Sequence, residues 1–227
     1  MFSYRAVFFL PCLSICLIAQ TTLRTKDVRE MGKGGANAIP QLAALLTNTD
    51  VDIRLEAVKQ ISEIGTQYSL DPLVQATRDT DAEIQIRATD GLVNFYLPGY
   101  LKTGFGSSLR RVGTSIKGRF TDTNDQVIDP YITARPDVIA ALGVLARNGA
   151  NLESRANAAR AIGILRGKAA IPDLVQALHS KDTTVIYESL VALQKIRDPE
   201  AASSIAFCCA TSIPKFRLPP SKPRACC

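Results

Sequence analysis

Asp50-Val51-Asp52-Ile53-Arg54-Leu55-Glu56-Ala57 is the unit from which this chain is built. Ile53, Ala57 and Ile61 fall four residues apart, and side chains so spaced lie on one face of an α-helix. Asp50 is suited to cap that helix, because its carboxylate accepts N–H groups that the first turn leaves without intrahelical partners. The arrangement recurs three times. Asp81 precedes Ile84, Ala88 and Leu92; Asn151 precedes Ser154, Ala158 and Ile162; Asp182 precedes Val185, Ser189 and Leu193. The small residue in the middle of each set lets a neighbouring helix come close.

Each run follows a first, shorter apolar segment with a proline near its start: Ile39-Pro40, Asp71-Pro72, Arg135-Pro136 and Ile171-Pro172. Proline is favoured at the first helical position, where its missing N–H is not needed. Successive copies of the small position are 31, 70 and 31 residues apart. The outer intervals are single repeats, and the middle one is a repeat plus an insertion. One helix pair cannot bury its own apolar stripe, whereas stacked pairs bury a shared core. The expected fold is therefore all-α: an α–α superhelix of four helix pairs, with a long insertion between the second and third.

The stretch at Asp50 resembles the D-x-x-[VI]-R-x-x-A core of HEAT repeats, in particular the short HEAT-like type also found in phycobilisome lyases. Asn151-Leu152-Glu153-Ser154-Arg155-Ala156-Asn157-Ala158 is a second copy. The copies at Asp81 and Asp182 carry Gln85 and Ile186 where the family has Arg. The resemblance covers residues 36–202. It implies a superhelical array that docks proteins; its lyase branch implies the alternative of an enzyme-associated subunit.

The chain divides accordingly. Arg5 followed by the apolar run Ala6–Ala19 reads as an export signal at residues 1–19, too short and interrupted to span a bilayer comfortably. Cleavage after Ala19 is expected, with an uncleaved anchor as the alternative, and the protein is expected to act in the periplasm or outside the cell. Residues 20–35 form an N-terminal cap or linker, with a partial helix over Thr25–Met31. Repeats one and two occupy 36–98, the insertion 99–134, and repeats three and four 135–202. The tail, 203–227, holds Cys208, Cys209, Cys226 and Cys227, four prolines and no acidic residue. It reads as disordered, or as a non-native segment that does not continue the gene's original register. The repeats contain no cysteine, so no disulfide frames them.

Composition narrows the function. The 227 residues carry a formal charge of +6 from 27 basic and 21 acidic side chains. Without Arg5 and the tail's Lys215, Arg217, Lys222 and Arg224, 22 basic residues face 21 acidic ones. Nucleic-acid binding needs clustered cations and is not expected. A lone histidine, His179, excludes a multi-histidine metal site. It sits beside Ser180 and Asp182 in a turn between helices, not among arms converging from separate elements, and so does not read as a catalytic triad. No phosphate loop and no G-x-S-x-G elbow occurs. Asp122, Asp125 and Asp129 fail the EF-hand pattern, since Val127 stands where glycine is required. The expectation is a non-enzymatic scaffold without catalytic residues, metal, cofactor or small-molecule substrate, acting on a protein partner.

Second helices in such arrays supply equivalent rows of contacts. The candidate contact residues are Arg54, Glu56, Lys59, Arg87, Asp90, Arg155, Arg160, Tyr187 and Glu188, although the resemblance implies for Arg54 and Arg155 a structural role, bonding neighbouring turns or caps. In the insertion, Arg110, Arg111, Lys117 and Arg119 lie beside a narrow apolar stripe of Leu109, Val112, Ile116 and Phe120. They form a second candidate region, either for a protein partner or, less favoured because Gly113 and Gly118 weaken a helix there, for an anionic membrane surface.

Overall fold

A computed structural model describes residues 23–100 and 126–202. The signal-like segment, the basic part of the insertion with Arg110, Arg111, Lys117 and Arg119, and the tail from 203 lie outside the described residues. All regular structure within them is helical. An N-terminal helix, α1 (Thr25–Gly32), is followed by four pairs: α2 (Ile39–Ala44) with α3 (Val51–Ile64), α4 (Leu70–Ala76) with α5 (Ala82–Tyr96), α6 (Pro136–Asn148) with α7 (Leu152–Ile164), and α8 (Ile171–Ala177) with α9 (Thr183–Ile196).

The second helices begin where the cap residues demand. Asp50 accepts from Asp52 N–H, Asp81 from Glu83 and Ile84 N–H, Asn151 from Ser154 N–H, and Asp182 from Thr184 and Val185 N–H. Proline opens α2, α6 and α8 within the first two positions. The second pair departs from this, because α4 starts at Leu70 and makes Pro72 its third residue. The position is harmless, since the first four N–H groups of a helix have no intrahelical acceptor.

The shared face is buried as the spacing requires. Ala57, Ala88, Ala158 and Ser189 are each 0% exposed. Their companions four residues away on either side, from Ile53 to Leu193, are also buried. The second helices stack in the order α3, α5, α7, α9, and the first helices α4, α6 and α8 form a parallel layer against them. Helix α1 packs on α3, the place a second helix of a preceding pair would take.

The insertion does not interrupt this stack. Helices α5 and α7 are in direct contact. Gln85 Oε1 accepts from Ala150 N–H at 2.9 Å, and Arg135 donates to Asp71 at 2.6 Å from the far side of the insertion. The returning strand of irregular chain is itself docked. Ile128 is 2% exposed, its N–H donates to the Ile164 carbonyl at 3.0 Å, and Lys195 Nζ donates to the Gln126 carbonyl at 3.2 Å. Asp129 forms a turn, accepting from Tyr131 N–H through its side chain and from Ile132 N–H through its carbonyl.

Candidate functional site

The polar residues of the second helices fall into two sets of bonds, most of which cross-link neighbouring repeats. The first set uses the position of Arg54. Its Nε and Nη2 donate to the two carboxylate oxygens of Asp79 at 2.8 and 3.1 Å, and Nη1 donates to the Asn48 carbonyl at 2.9 Å. Gln85 does the same one repeat later with an amide: Nε2 donates to the Asp79 carbonyl at 2.7 Å, and Oε1 accepts from Ala150 N–H. Arg155 follows one repeat further and donates from Nε to the Ala146 carbonyl at 3.2 Å.

The second set lies one turn along. Arg29 of α1 holds Glu56 through two bonds of 3.0 and 3.2 Å, Asn157 donates to Asp90 at 3.0 Å, and Arg160 holds Glu188 through bonds of 3.2 and 2.9 Å. Gln60 also donates to Glu56 at 3.0 Å. Apart from this last bond, which lies within α3, each link joins one second helix to the next, or α1 to α3. Arginine suits the role because its planar fork matches a carboxylate with two parallel bonds.

Four of the expected contact residues are therefore internal. Arg54, Glu56, Arg160 and Glu188 face partners on adjacent helices or, for Arg54, in the turn at Asp79, instead of a free surface, and Glu56 and Glu188 are only 8% and 3% exposed. The reason is geometric: a second helix inside the stack has another second helix on both sides, so its polar flanks are covered as well as its apolar face. Asp90 is half-buried against Asn157. Lys59, Arg87, Arg155 and Tyr187 are half-buried at different register positions of their second helices, with Arg87 bonded to Glu83 at 2.8 Å. Sequence reasoning missed Arg29, Asp79 and Gln85 as members of the ladder, because the pairing is set by register between helices and leaves no period within one.

Electrostatics follow from these bonds. Burial acts to raise the Asp79 carboxyl, but the Arg54 hydrogen bonds, with those of the Asp81 and Thr80 N–H groups, outweigh it and hold the group below its ordinary value. Glu56 is lowered in the same way: burial opposes ionisation, and Arg29 and the Lys59 charge more than offset it. A depressed folded-state pKa stabilises the fold above the unfolded carboxyl value of about 4, and that stabilisation is lost as pH falls through the folded value. Asp79→Asn is expected to lose about 2 kcal/mol near neutral pH. The gap from wild type should close in more acidic solution. Urea midpoints measured along a descending pH series check this; a gap that stays constant would show that Asp79 is not ionised against Arg54.

Among the described residues, no group of three or more His, Cys, Asp or Glu is placed to hold a metal ion, and no helix is long and apolar enough to cross a membrane. His179 follows the end of α8, donates its N–H to the Gln176 carbonyl, and lines a groove of about 590 Å³ with Arg147, Arg155, Ser180, Lys181 and Asp182.

The pattern of HEAT repeats matches residues 23–101 and 139–215. The chain belongs to the HEAT repeat family. It is a helical repeat scaffold, and HEAT repeats generally mediate protein–protein interaction. No curated protein matches the chain. Among solved structures it is similar to an engineered protein, at 20% identity and a TM-score of 0.45, covering 84% of this chain and 82% of that one. It is also similar to human deoxyhypusine hydroxylase in complex with glycerol, at 15% identity and a TM-score of 0.33, covering 83% and 84%. A third is the complex of CpcE and CpcF of phycocyanin lyase from Nostoc sp., at 18% identity and a TM-score of 0.33, covering 89% and 86%.

Proposed function

We propose that this HEAT-repeat protein is a non-enzymatic adaptor that holds a protein partner along its row of second helices, outside the cytoplasm. The observation that supports the first part is the regular stacking of α3, α5, α7 and α9, which repeats equivalent positions along one side of the molecule. Lys59, Arg87 and Tyr187, each only partly buried, are the candidate contacts on the second helices, with Asp90 and Arg155 as further partly buried members. A mixed-charge row of this kind sets specificity and encounter rate more than raw affinity. In this reading Arg110, Arg111, Lys117 and Arg119 extend the contact region from the insertion. The basic start and apolar run of residues 1–19 support the compartment.

Photo-cross-linking separates a contact row from a merely folded one. A benzophenone side chain at 59, 87 or 187 should capture one and the same partner in the native host. The same group at the exposed outer positions Gln75 or Val144 should not. Uniform capture at all five positions, or none at any, would overturn the contact row. For the compartment, the mature protein is expected in the periplasmic or culture fraction with Gln20 as its first residue by N-terminal sequencing. Full-length protein confined to the cytosol would overturn it.

A further inference from the structure

The groove beside Arg155 is best understood by comparing two equivalent seams of the array. Asp79 and Ser180 both stand two residues before a helix-capping Asp, and each closes the same turn. Asp79 Oδ1 accepts from Asp81 N–H at 2.8 Å, and Ser180 Oγ accepts from Asp182 N–H at 3.1 Å. Asp79 then has oxygen to spare for Arg54 in the preceding pair. Ser180 stands in the same relation to Arg155 but carries neither the charge nor the second oxygen. Where the first seam has an internal guanidinium–carboxylate pair, the third has a guanidinium and a space.

The surroundings favour an anion in that space. Arg147, Arg155 and Lys181 bring three cations to the groove, against the single carboxylate of Asp182. The Oδ1 of Asp182 is already occupied by Thr184 and Val185 N–H. Arg147 lies 2.6 Å from Asp173, outside the lining, which balances one of the three charges. Among the described residues Arg155 has no acidic partner. Its Nε is held by the Ala146 carbonyl, which leaves the terminal nitrogens of its fork for a ligand. Gly149 contributes by omission: a Cβ there would come within 2.9 Å of Arg155 Cγ, so glycine lets the side chain lie across the turn.

We propose that the seam between the third and fourth pairs is a receptor for a carboxylate of a protein partner, an acidic side chain or chain terminus, with Arg155 as the principal ligand. The incoming group stands in for Asp79 but meets the terminal nitrogens of the Arg155 fork, since the Arg155 Nε is held by the Ala146 carbonyl, and Lys181 and His179 line the approach. A carboxylate is preferred to a larger oxyanion because the molecule's own solution to the equivalent seam is a carboxylate, held at 2.8 and 3.1 Å by one arginine fork. This deepens the adaptor reading and rests on it. The cross-linking above tests the adaptor role, whereas a peptide titration tests the groove itself, so the two fail separately.

The probes are three fluorescein-labelled peptides: Gly-Glu-Asp-Glu-Gly, its uncharged counterpart Gly-Gln-Asn-Gln-Gly, and a glycine-flanked phosphoserine peptide. Fluorescence anisotropy with the full chain should show the acidic peptide bound at least about tenfold more tightly than the uncharged one, the scale of one charge-assisted bidentate contact. Arg155→Ala should remove that preference. Because that variant loses packing as well as charge, Ser180→Asp is the sharper test. It supplies the missing carboxylate from within, so it should weaken acidic-peptide binding about tenfold or more while leaving the thermal midpoint unchanged or raised. Equal binding of the acidic and uncharged peptides would overturn the proposal. So would acidic-peptide binding that Ser180→Asp leaves intact. A phosphoserine peptide that binds where the acidic one does not would also overturn it, by assigning the groove to phosphate.

Discussion

Glu188→Ala is expected to destabilise the protein by about 3–5 kcal/mol, a large share of the stability of a domain this size. Glu188 is 3% exposed and receives both edges of the Arg160 fork at 3.2 and 2.9 Å. Desolvation alone would lower the pKa of Arg160, but the Glu188 bonds and charge outweigh it and raise it, so the guanidinium stays charged inside the stack. Removing the carboxylate takes from that buried charge its bidentate partner, and the penalty is desolvation that is then less fully offset. The double variant Arg160→Met/Glu188→Leu distinguishes this from simple loss of packing. With both charges gone, most of the lost stability should return, because a hydrophobic pair of similar volume avoids desolvation altogether. Urea unfolding of the three variants measures it. A double variant no better than Glu188→Ala would show that shape, not charge, is what α7 and α9 require at this point.

The pair also shows which part of the molecule was legible in its sequence. The fold was. Cap, apolar, small and apolar residues recur at a spacing of 31, and each of these properties is fixed by the helix that carries it. Asp81 caps because of its own side chain, and Ala88 is small whatever its neighbour. The ladder is different in kind. Arg29 and Glu56 are 27 residues apart, Arg160 and Glu188 are 28 apart, and Asn157 and Asp90 are 67 apart because the insertion intervenes. Their pairing depends on how far one helix slides along the next. Charges on a second helix therefore look like a solvated face until the neighbour on each side is placed. The docking of Ile128 under the end of α7 was hidden for a similar reason, since a lone apolar residue in a polar insertion has no period to mark it. The Arg155 groove lies between these cases. Arg155 is marked by the repeat motif, but its lack of a carboxylate partner is not; the contrast of Asp79 with Ser180 at matching positions is written in the sequence and becomes meaningful once the first seam's ion pair is known.

A close approach of two helix backbones supplies the second large effect. Gly163 lies near the end of α7, and a Cβ placed on it would stand 2.7 Å from Ala192 Cα and 3.0 Å from Ala192 Cβ. The first of these is backbone, which no rotamer change can move aside. Gly163→Leu should therefore push α9 away from α7 and cost about 3 kcal/mol, the upper part of the usual range for overpacking. Gly163→Ala sets two effects against each other. Alanine favours the helix by about 1 kcal/mol, while its single carbon already meets Ala192, so a net loss from this substitution would confirm that contact and not propensity governs the site. Because repeat arrays gain much of their stability from nearest-neighbour interfaces, the damage from Gly163→Leu should be local. Hydrogen exchange is expected to accelerate across α8 and α9 while amides of α3 and α5 keep their protection. Uniform acceleration along the chain would mean that the pairs unfold as one body, and that the seam between the third and fourth is no weaker a joint than the rest.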